Sequence, residues 1–309
     1  MTGSPLGRVV EIAEEGRHLA KERGFLAISA QGETVARLPL DDLAAVIATA
    51  RGATLTSQLV AALAERNVPL VLCGSKFAPV AILWPVEGHH AQQRRMEAQL
   101  SCGRPLAKRL WAQVVAAKVR RQGWTLEALG QPAGAFEQLA RKVRSGDPAN
   151  IEAQAARRYW PLLLGREFRR DTQGDGANIL LNYGYAVLRS ATARAVAASG
   201  LHPGLGIFHR HPNNPMPLVD DLMEPYRPVV DREVRLLGAE GLTELSPEAK
   251  RRLAILLWSD QPMEAGTSPL STCLVRTAQS LAESFASGKA ALEFPLRPPD
   301  APPCPTPLP

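Results

Sequence analysis

The chain has 309 residues, 45% of them hydrophobic and 21% charged, which is ordinary soluble composition and enough length for one large domain or two smaller ones. No apolar run approaches the roughly 20 residues that cross a bilayer, and "MTGSPLGRVVEIAEEGRHLA" has no apolar signal core, so a cytoplasmic protein without a membrane partner is expected. The net charge of +6 is concentrated: residues 94–170 hold 16 Lys/Arg against 6 Asp/Glu, whereas 1–90 hold 8 against 9 and 171–309 hold 12 against 15.

The first part of the chain reads as strands. "RVVEIAEEGRHLAKERGFLAISAQGETVARLPL" alternates short β-prone runs with turn material such as "AQGE", and "AAVIATA", "VPLVLCG" and "APVAILWPVEG" continue the pattern. Between them "TLTSQLVAALAERN" has helical apolar spacing at Leu59 and Leu63, with Thr56 or Ser57 as the cap. Pro85 and Gly88 mark a boundary, so residues 1–86 form a small β-rich, sandwich-like domain with one helix.

From "HHAQQRRMEAQL" onward the period is helical. "PLAKRLWAQVVAAKVRRQGW" puts Leu106, Leu110, Val114 and Val115 on one face and Lys108, Arg109, Lys118, Arg120 and Arg121 largely around the others. "TLEALG", "GAFEQLARKVRSG" and "DPANIEAQAARRYWPLLLG" follow as separate helices, the last with Asp147 as cap and Pro148 at its first position. "NILLNYGYAVLRSATARAVAASG" ends at Gly200, "SPEAKRRLAILLW" starts on a Ser246 cap, and "STCLVRTAQSLAESFASG" is the last helix. The fold class is α+β, with a larger all-α domain over 87–294. The proline-rich "PLRPPDAPPCPTPLP", residues 295–309, is expected to be extended and disordered.

Bulk charge and cysteines narrow the chemistry. Arginine dominates the basic segment, and its planar fork suits phosphate oxygens, so nucleic acid leads other anions; the plainer alternative is a solvated helix surface. Cys73, Cys102, Cys273 and Cys304 are scattered without a C-x-x-C pair, which argues against a structural zinc site built from them.

The densest chemistry lies in "GIFHRHPNNPMPLVDDLMEPYRP", residues 206–228. Asp220, Asp221 and Glu224 are three and four apart and share a face if helical, with Pro225 in the first turn of a helix running through "VVDREVRLLG". Favourable placement of carboxylates at a helix N-terminus would by itself account for them. His209 follows an apolar run. It pairs with His211 as a weak H-x-H zinc motif, or simply hydrogen-bonds to backbone. Glu152 sits one turn into its helix among Ile151, Ala153, Ala155 and Ala156, a setting that helix burial would not select for a carboxylate.

In combination these segments are more specific. "GRVVEIAEEGRHLAKERGFLAI", "NIEAQAARRYW", "ILLNYGYAVLRSATARAV", "GLHPGLGIFH" and "DLMEPYRPVVD" occur in an order that closely resembles the CRISPR-associated adaptation integrase family, the larger of the two universal spacer-acquisition proteins. The resemblance runs from about residue 8 to about 285 and rests most on G-x-x-H followed by D-L-M-E-P-Y-R-P; the length and "GHHAQQRR" are most like the type II branch. It implies a metal-binding triad of Glu152, His209 and Glu224, with Asp221 as a further acidic catalytic residue in some branches. It also implies a β-rich N-terminal domain that dimerises and a helical catalytic domain. One departure is the proline-rich "HRHPNNPMPLV" between the histidine and D-L-M-E-P.

Two carboxylates and an imidazole form a hard site suited to Mg²⁺ or Mn²⁺. The function expected from the resemblance is metal-dependent insertion of short DNA into a repeat array by 3′-hydroxyl attack on a phosphodiester. The expected partners are double-stranded DNA, a second copy of the chain, the small second adaptation protein in a heterohexamer, and the effector nuclease of a type II system. Arg157, Arg158, Arg120 and Arg121 are expected to hold the DNA backbone. A stand-alone structure-specific endonuclease using the same metal, and a non-catalytic DNA-binding scaffold, are the alternatives.

Overall fold

The computed structural model describes residues 8–50, 52–74, 79–83, 91–209, 212–264 and 266–298, and the chain divides into two units, Met1–Gln92 and Gln93–Pro309. The boundary expected at 86/87 lies outside the described residues.

Among the described residues the first unit contains two four-stranded sheets and one α-helix. Strands β1 (Arg8–Ile12), β2 (Arg17–Glu22), β3 (Phe25–Ala30), β4 (Glu33–Pro39), β5 (Leu43–Ala48), β6 (Thr54–Leu55), β7 (Leu70–Cys73) and β8 (Pro79–Ile82) are joined by helix α1 (Ser57–Glu65) between β6 and β7. One sheet has the order β1-β5-β7-β8, parallel except for β8; the other has the order β4-β3-β2-β6, antiparallel except for β6. The β3–β4 turn is Gln31–Gly32 with φ of 50° and 86°, the doubly positive conformation that matches a two-residue hairpin to strand twist. Thr56 caps α1 by accepting from the Leu59 N–H at 3.3 Å, and Leu59, Ala62 and Leu63 face inward. They share one core with Ile12, Leu43, Val46 and Leu70 of the first sheet and Leu19, Leu26 and Ile28 of the second.

The second unit is helical: α2 (Gln92–Leu100), α3 (Arg104–Ala128), α4 (Gly134–Lys142), α5 (Ile151–Leu164), α6 (Ala177–Ala198), α7 (Pro217–Met223), α8 (Arg227–Ala239), α9 (Pro247–Ile255) and α10 (Leu270–Ser287). It also holds a small hairpin of β9 (Asp260–Met263) and β10 (Gly266–Pro269), so it is not purely α. Helix α3 is continuous through "RRQGWTLEA", Gly123 included, where the sequence reading ends one helix at Trp124 and starts another at "TLEALG". The glycine serves packing: a Cβ there would stand 2.8 Å from Cβ of Phe136 on α4. Leu110, Trp111, Val114, Val115, Val119 and Leu126 of α3 are fully or nearly fully buried, as a helix surrounded by others requires.

Helix α5 begins later than Asp147–Pro148 predicts. Its cap is Asn150 in the left-handed region (φ 50°, ψ 48°), while Asp147 reaches across to accept from the N–H groups of Ile151 at 2.9 Å and Glu152 at 3.0 Å. Likewise "DLMEPYRP" is not the start of one long helix. Helix α7 ends at Met223, a 3₁₀ turn covers Glu224–Tyr226, and α8 follows, because Pro225 has no N–H to continue the α-helical ladder.

The expected disordered tail needs correcting over residues 295–298, where the chain packs on the helical unit; the remainder lies outside the described residues. Pro295 is buried, the Leu296 N–H donates to Pro262 O at 2.8 Å, and Arg297 pairs with Glu127 at 2.9 Å. Just upstream, the side chain of Gln113 donates to Ala290 O at 2.9 Å and accepts from the Leu292 N–H at 3.0 Å. Backbone hydrogen bonds, the buried Pro295 and the Arg297 ion pair together hold this strap. Gln113→Ala removes both bonds, and a loss of about 1–2 kcal/mol is expected. A urea midpoint unchanged from wild type would show that the strap adds nothing to the fold.

Candidate active site

One helix, one 3₁₀ turn and one loop of the second unit carry the predicted ligands. Glu152 is the second residue of α5, where the Asp147 carboxylate holds its N–H. Glu224 opens the 3₁₀ turn after α7. His209 ends the loop after α6, and that loop is clamped by Gln99 of α2. The Gln99 amide donates to His202 O at 2.9 Å and Leu205 O at 2.8 Å and accepts from the His202 N–H at 2.8 Å.

Lys118 of α3 joins the two glutamates. Its Nζ lies 2.6 Å from Glu152 Oε1 and 2.5 Å from Glu224 Oε2, with the lysine side chain only 13% exposed. The Glu224 contact pairs a largely buried ammonium with a buried carboxylate. Arg227 Nε donates to the other oxygen, Glu224 Oε1, at 2.8 Å. Burial by itself would raise the Glu224 pKa, but Arg227 and Lys118 overcome it and hold the carboxyl down to about 2. Lys118 is held charged in the same way: burial opposes its charge, and Glu224 and Glu152 more than offset it. His209 feels the negative field of both glutamates as well.

Asp221 does a different job from the one its motif position predicts. It is fully buried, and both oxygens are taken: Oδ2 accepts from the N–H groups of Ile207 at 2.6 Å and Phe208 at 2.9 Å. Oδ1 accepts from the His209 N–H at 3.2 Å and lies 2.6 Å from its Nδ1. This bond is the main cause of a raised His209 pKa, while burial pushes Asp221 up. With Nδ1 committed to the carboxylate, Nε2 is the nitrogen left to act. Asp221 therefore positions His209 and the loop rather than reaching a substrate. Asp220 points elsewhere, accepting from Arg189 at 2.7 and 3.0 Å and from Asn214 at 2.8 Å. Neither aspartate caps its own helix.

The loop tolerates no side chain at Gly206: a Cβ there would lie 2.6 Å from His209 O, 2.9 Å from Pro217 Cβ and 3.1 Å from Asp221 Oδ2. Phe208 stacks flat on Trp111, with ring centroids 4.3 Å apart, and Trp111 meets the His209 ring edge-on at 5.4 Å. His209 also lines a cavity of about 410 Å³ with Gln99, Cys102, Gly206 and Asn214. His211, the partner in the weak H-x-H motif, lies outside the described residues.

The predicted DNA-contacting arginines divide. Arg157 and Arg158 are exposed on α5. Arg120 is partly exposed and pairs with Glu137 at 3.4 Å. Arg121 must be withdrawn: it is 5% exposed, donates to Gln261 and lies over the Tyr226 ring at 5.7 Å, so it is a packing residue. Lys118 and Arg227 are site residues that sequence reasoning misses. The signal for Lys118 is its register, four residues after Val114 and eight after Leu110 on the buried stripe; Arg227 stands one turn from Glu224.

Among the described residues no group of three or more His, Cys, Asp or Glu side chains already stands in a metal-binding arrangement. The donor set still fits a hard divalent ion, because two carboxylate oxygens converge on one positive charge, at present the Lys118 ammonium.

Among the described residues no helix is long and apolar enough to cross a membrane. Comparison with known proteins agrees with the architecture. Residues 10–244 match the family described as CRISPR associated protein Cas1. A "CRISPR-associated endonuclease Cas1" of Neisseria meningitidis serogroup C (strain 8013) is 38% identical over 246 residues, 78% of this chain and 80% of that protein. A casposase bound to integration product has the same fold, with a TM-score of 0.79 at 19% identity over 96% of this chain and 94% of that one. A chain of a Cas6-RT-Cas1–Cas2 complex gives 0.75 at 20% identity, covering 94% of this chain and 36% of that one. A β-rich unit followed by a mostly helical unit is the architecture of the CRISPR adaptation nucleases that the chain resembles. The chain belongs to the Cas1 family.

The Glu224 environment has a pH consequence. Its folded pKa lies below the ordinary carboxylate value of 4.5, at about 2, so its stabilisation is present above 4.5 and is lost as the pH falls from there toward 2. The difference is worth on the order of 3 kcal/mol. Glu224→Gln should flatten the stability-versus-pH curve of the metal-free protein across that window. A curve of wild-type steepness in the variant would assign the acid limb to other groups.

Proposed function

We propose that this protein is a metal-dependent DNA integrase of CRISPR adaptation, inserting short DNA fragments into a repeat array by transesterification. The observation that carries the reading is the meeting of Glu152, His209 and Glu224, from α5, the loop after α6 and the turn after α7, in one region of a Cas1-family chain. Support for joining rather than only cutting comes from the fold shared with a casposase bound to integration product.

Glu152, His209 through Nε2, and Glu224 would hold Mg²⁺ or Mn²⁺, which when bound polarises a phosphodiester oxygen and stabilises the charge that builds on phosphorus. The chain's own residues prepare that site. Asp221 fixes the His209 ring through Nδ1, Arg227 keeps Glu224 ionised, and Asp147 anchors the backbone at Glu152. The 3′-hydroxyl oxygen of the incoming fragment forms the new P–O bond. The target strand's 3′-oxygen leaves and takes up the proton, so the number of phosphodiester linkages is unchanged. Exposed Arg157 and Arg158, on the helix that carries Glu152, would hold the DNA backbone. The assembly we propose is a homodimer bridged to a second by the small adaptation protein in a heterohexamer, in keeping with the Cas1–Cas2 association named for the similar complex, with a type II effector nuclease as a further partner.

A strand-transfer assay with divalent metal and donors carrying either a free or a blocked 3′-hydroxyl separates integration from hydrolysis. Joining should require the free hydroxyl, and Glu152→Ala, His209→Ala and Glu224→Ala should each lose it by at least about a hundredfold while still binding DNA. Cleavage that ignores the donor's 3′ end would instead favour a stand-alone endonuclease. Near-normal joining by any one variant would remove that residue from the site.

Replacing Arg157 and Arg158 together by Gln should weaken duplex binding. It should also lower the slope of log affinity against log salt by ~0.9 for each phosphate that is no longer neutralised. An unaltered slope would mean that these arginines form a solvated helix face.

A further inference from the structure

The ammonium of Lys118 stands where positive charge is required and where a metal would also have to stand. It is the one ion-pair partner of Glu152 among the described residues, and it meets Glu224 on Oε2, the oxygen that Arg227 does not hold. Glu224 Oε1 is served separately by Arg227 at 2.8 Å, so Glu224 keeps a cation without Lys118, whereas Glu152 does not. A small divalent ion such as Mg²⁺ binds carboxylate oxygens at about 2.0–2.1 Å, a shell that Nζ, at 2.5 and 2.6 Å from the same two oxygens, already fills. Two cations sharing those oxygens would repel one another strongly in a site this poorly exposed to water. The lysine is built to yield: its charge is a point on a four-carbon stem with rotatable bonds, unlike the planar fork of Arg227.

We propose that Lys118 is a resident cation that keeps Glu152 and Glu224 together while no metal is bound and is displaced from between them when a divalent ion binds. The proposal rests on the metal-site reading above and adds a competition to it. Lys118 costs the protein metal affinity and in return prevents two poorly solvated carboxylates from repelling each other in the empty site. The positions of α3, α5 and the turn after α7 are then set before metal arrives.

Two measurements on the full chain, with MnCl₂ as the only added ligand, decide it. In wild-type protein, amine acetylation followed by mass spectrometry should find Lys118 protected relative to exposed Lys108 and Lys142. Saturating Mn²⁺ should make it several-fold more reactive, and equal reactivity with and without Mn²⁺ would overturn the displacement. In Mn²⁺ titrations followed by electron paramagnetic resonance, Lys118→Met should bind about tenfold more tightly than wild type. The variant's metal-free melting temperature should be lower and should recover as Mn²⁺ is added. Equal Mn²⁺ affinity in the two proteins would sink the proposal and leave the metal site standing. Failure of both proteins to bind Mn²⁺ would sink the metal-site reading with it. If Lys118→Met does not fold, the acetylation of wild-type protein decides alone.

Discussion

Placing like charges together where water is scarce is the constraint around which the helical unit is organised. Glu224 is 6% exposed, and the Glu152 carboxylate shares a single ammonium with it. Glu224 could not stay ionised there without cations drawn from elsewhere in the chain. Lys118 from the middle of α3 and Arg227 from the first turn of α8 supply them, which ties three helices and a 3₁₀ turn to one electrostatic centre. The contrast with Asp231 shows how much the cations matter. It is buried to a similar degree, at 2% exposed, but its direct partners are the Tyr159 and Tyr185 hydroxyls, and burial pushes its carboxyl up to about 7. Burial alone raises a carboxyl; burial against paired cations keeps Glu224 at about 2.

His209 is positioned by a second device. Four donors, three of them backbone N–H groups of consecutive residues, converge on Asp221, and one of its oxygens fixes the imidazole. Gly206 makes room for this convergence, since a methyl group there would collide with the His209 carbonyl and Pro217 Cβ and crowd the Asp221 oxygen. The Phe208–Trp111 stack closes one side. The histidine therefore comes from a loop that is as constrained as the helices presenting the glutamates, the property a site needs if its ligands are to meet a metal at fixed distances.

Local chemistry was readable from the residues themselves. The alternation of strands before residue 87 and the helical period after it depend only on side-chain spacing within one element. The caps Thr56 and Ser246 act within three residues of themselves, and both are found as read. The segments carrying Glu152, His209 and Glu224 could be picked out because composition and order there are unusual. Those signals also established the fold class and, with the family resemblance, the kind of protein this is.

What needed the tertiary structure were the decisions made between elements. The separate helix read at "TLEALG" is the end of α3, and Gly123 within that continuous helix makes room for Phe136 of α4. Arg121 and Lys118 look alike in a basic helix, yet one packs over Tyr226 and the other bridges two glutamates, because the turn of α3 aims them at different neighbours. Asp221 and Glu224 are both acids of one short motif. The change from α-helix to 3₁₀ turn at Met223–Glu224 leaves one beneath the histidine loop and the other against Lys118. Residues 295–298 read as solvent-bound because they offer little apolar surface, but they are held by backbone and ion-pair partners supplied from β9 and α3. Sequence carries what a residue does within its own element; which distant group it meets is set only when the helices pack.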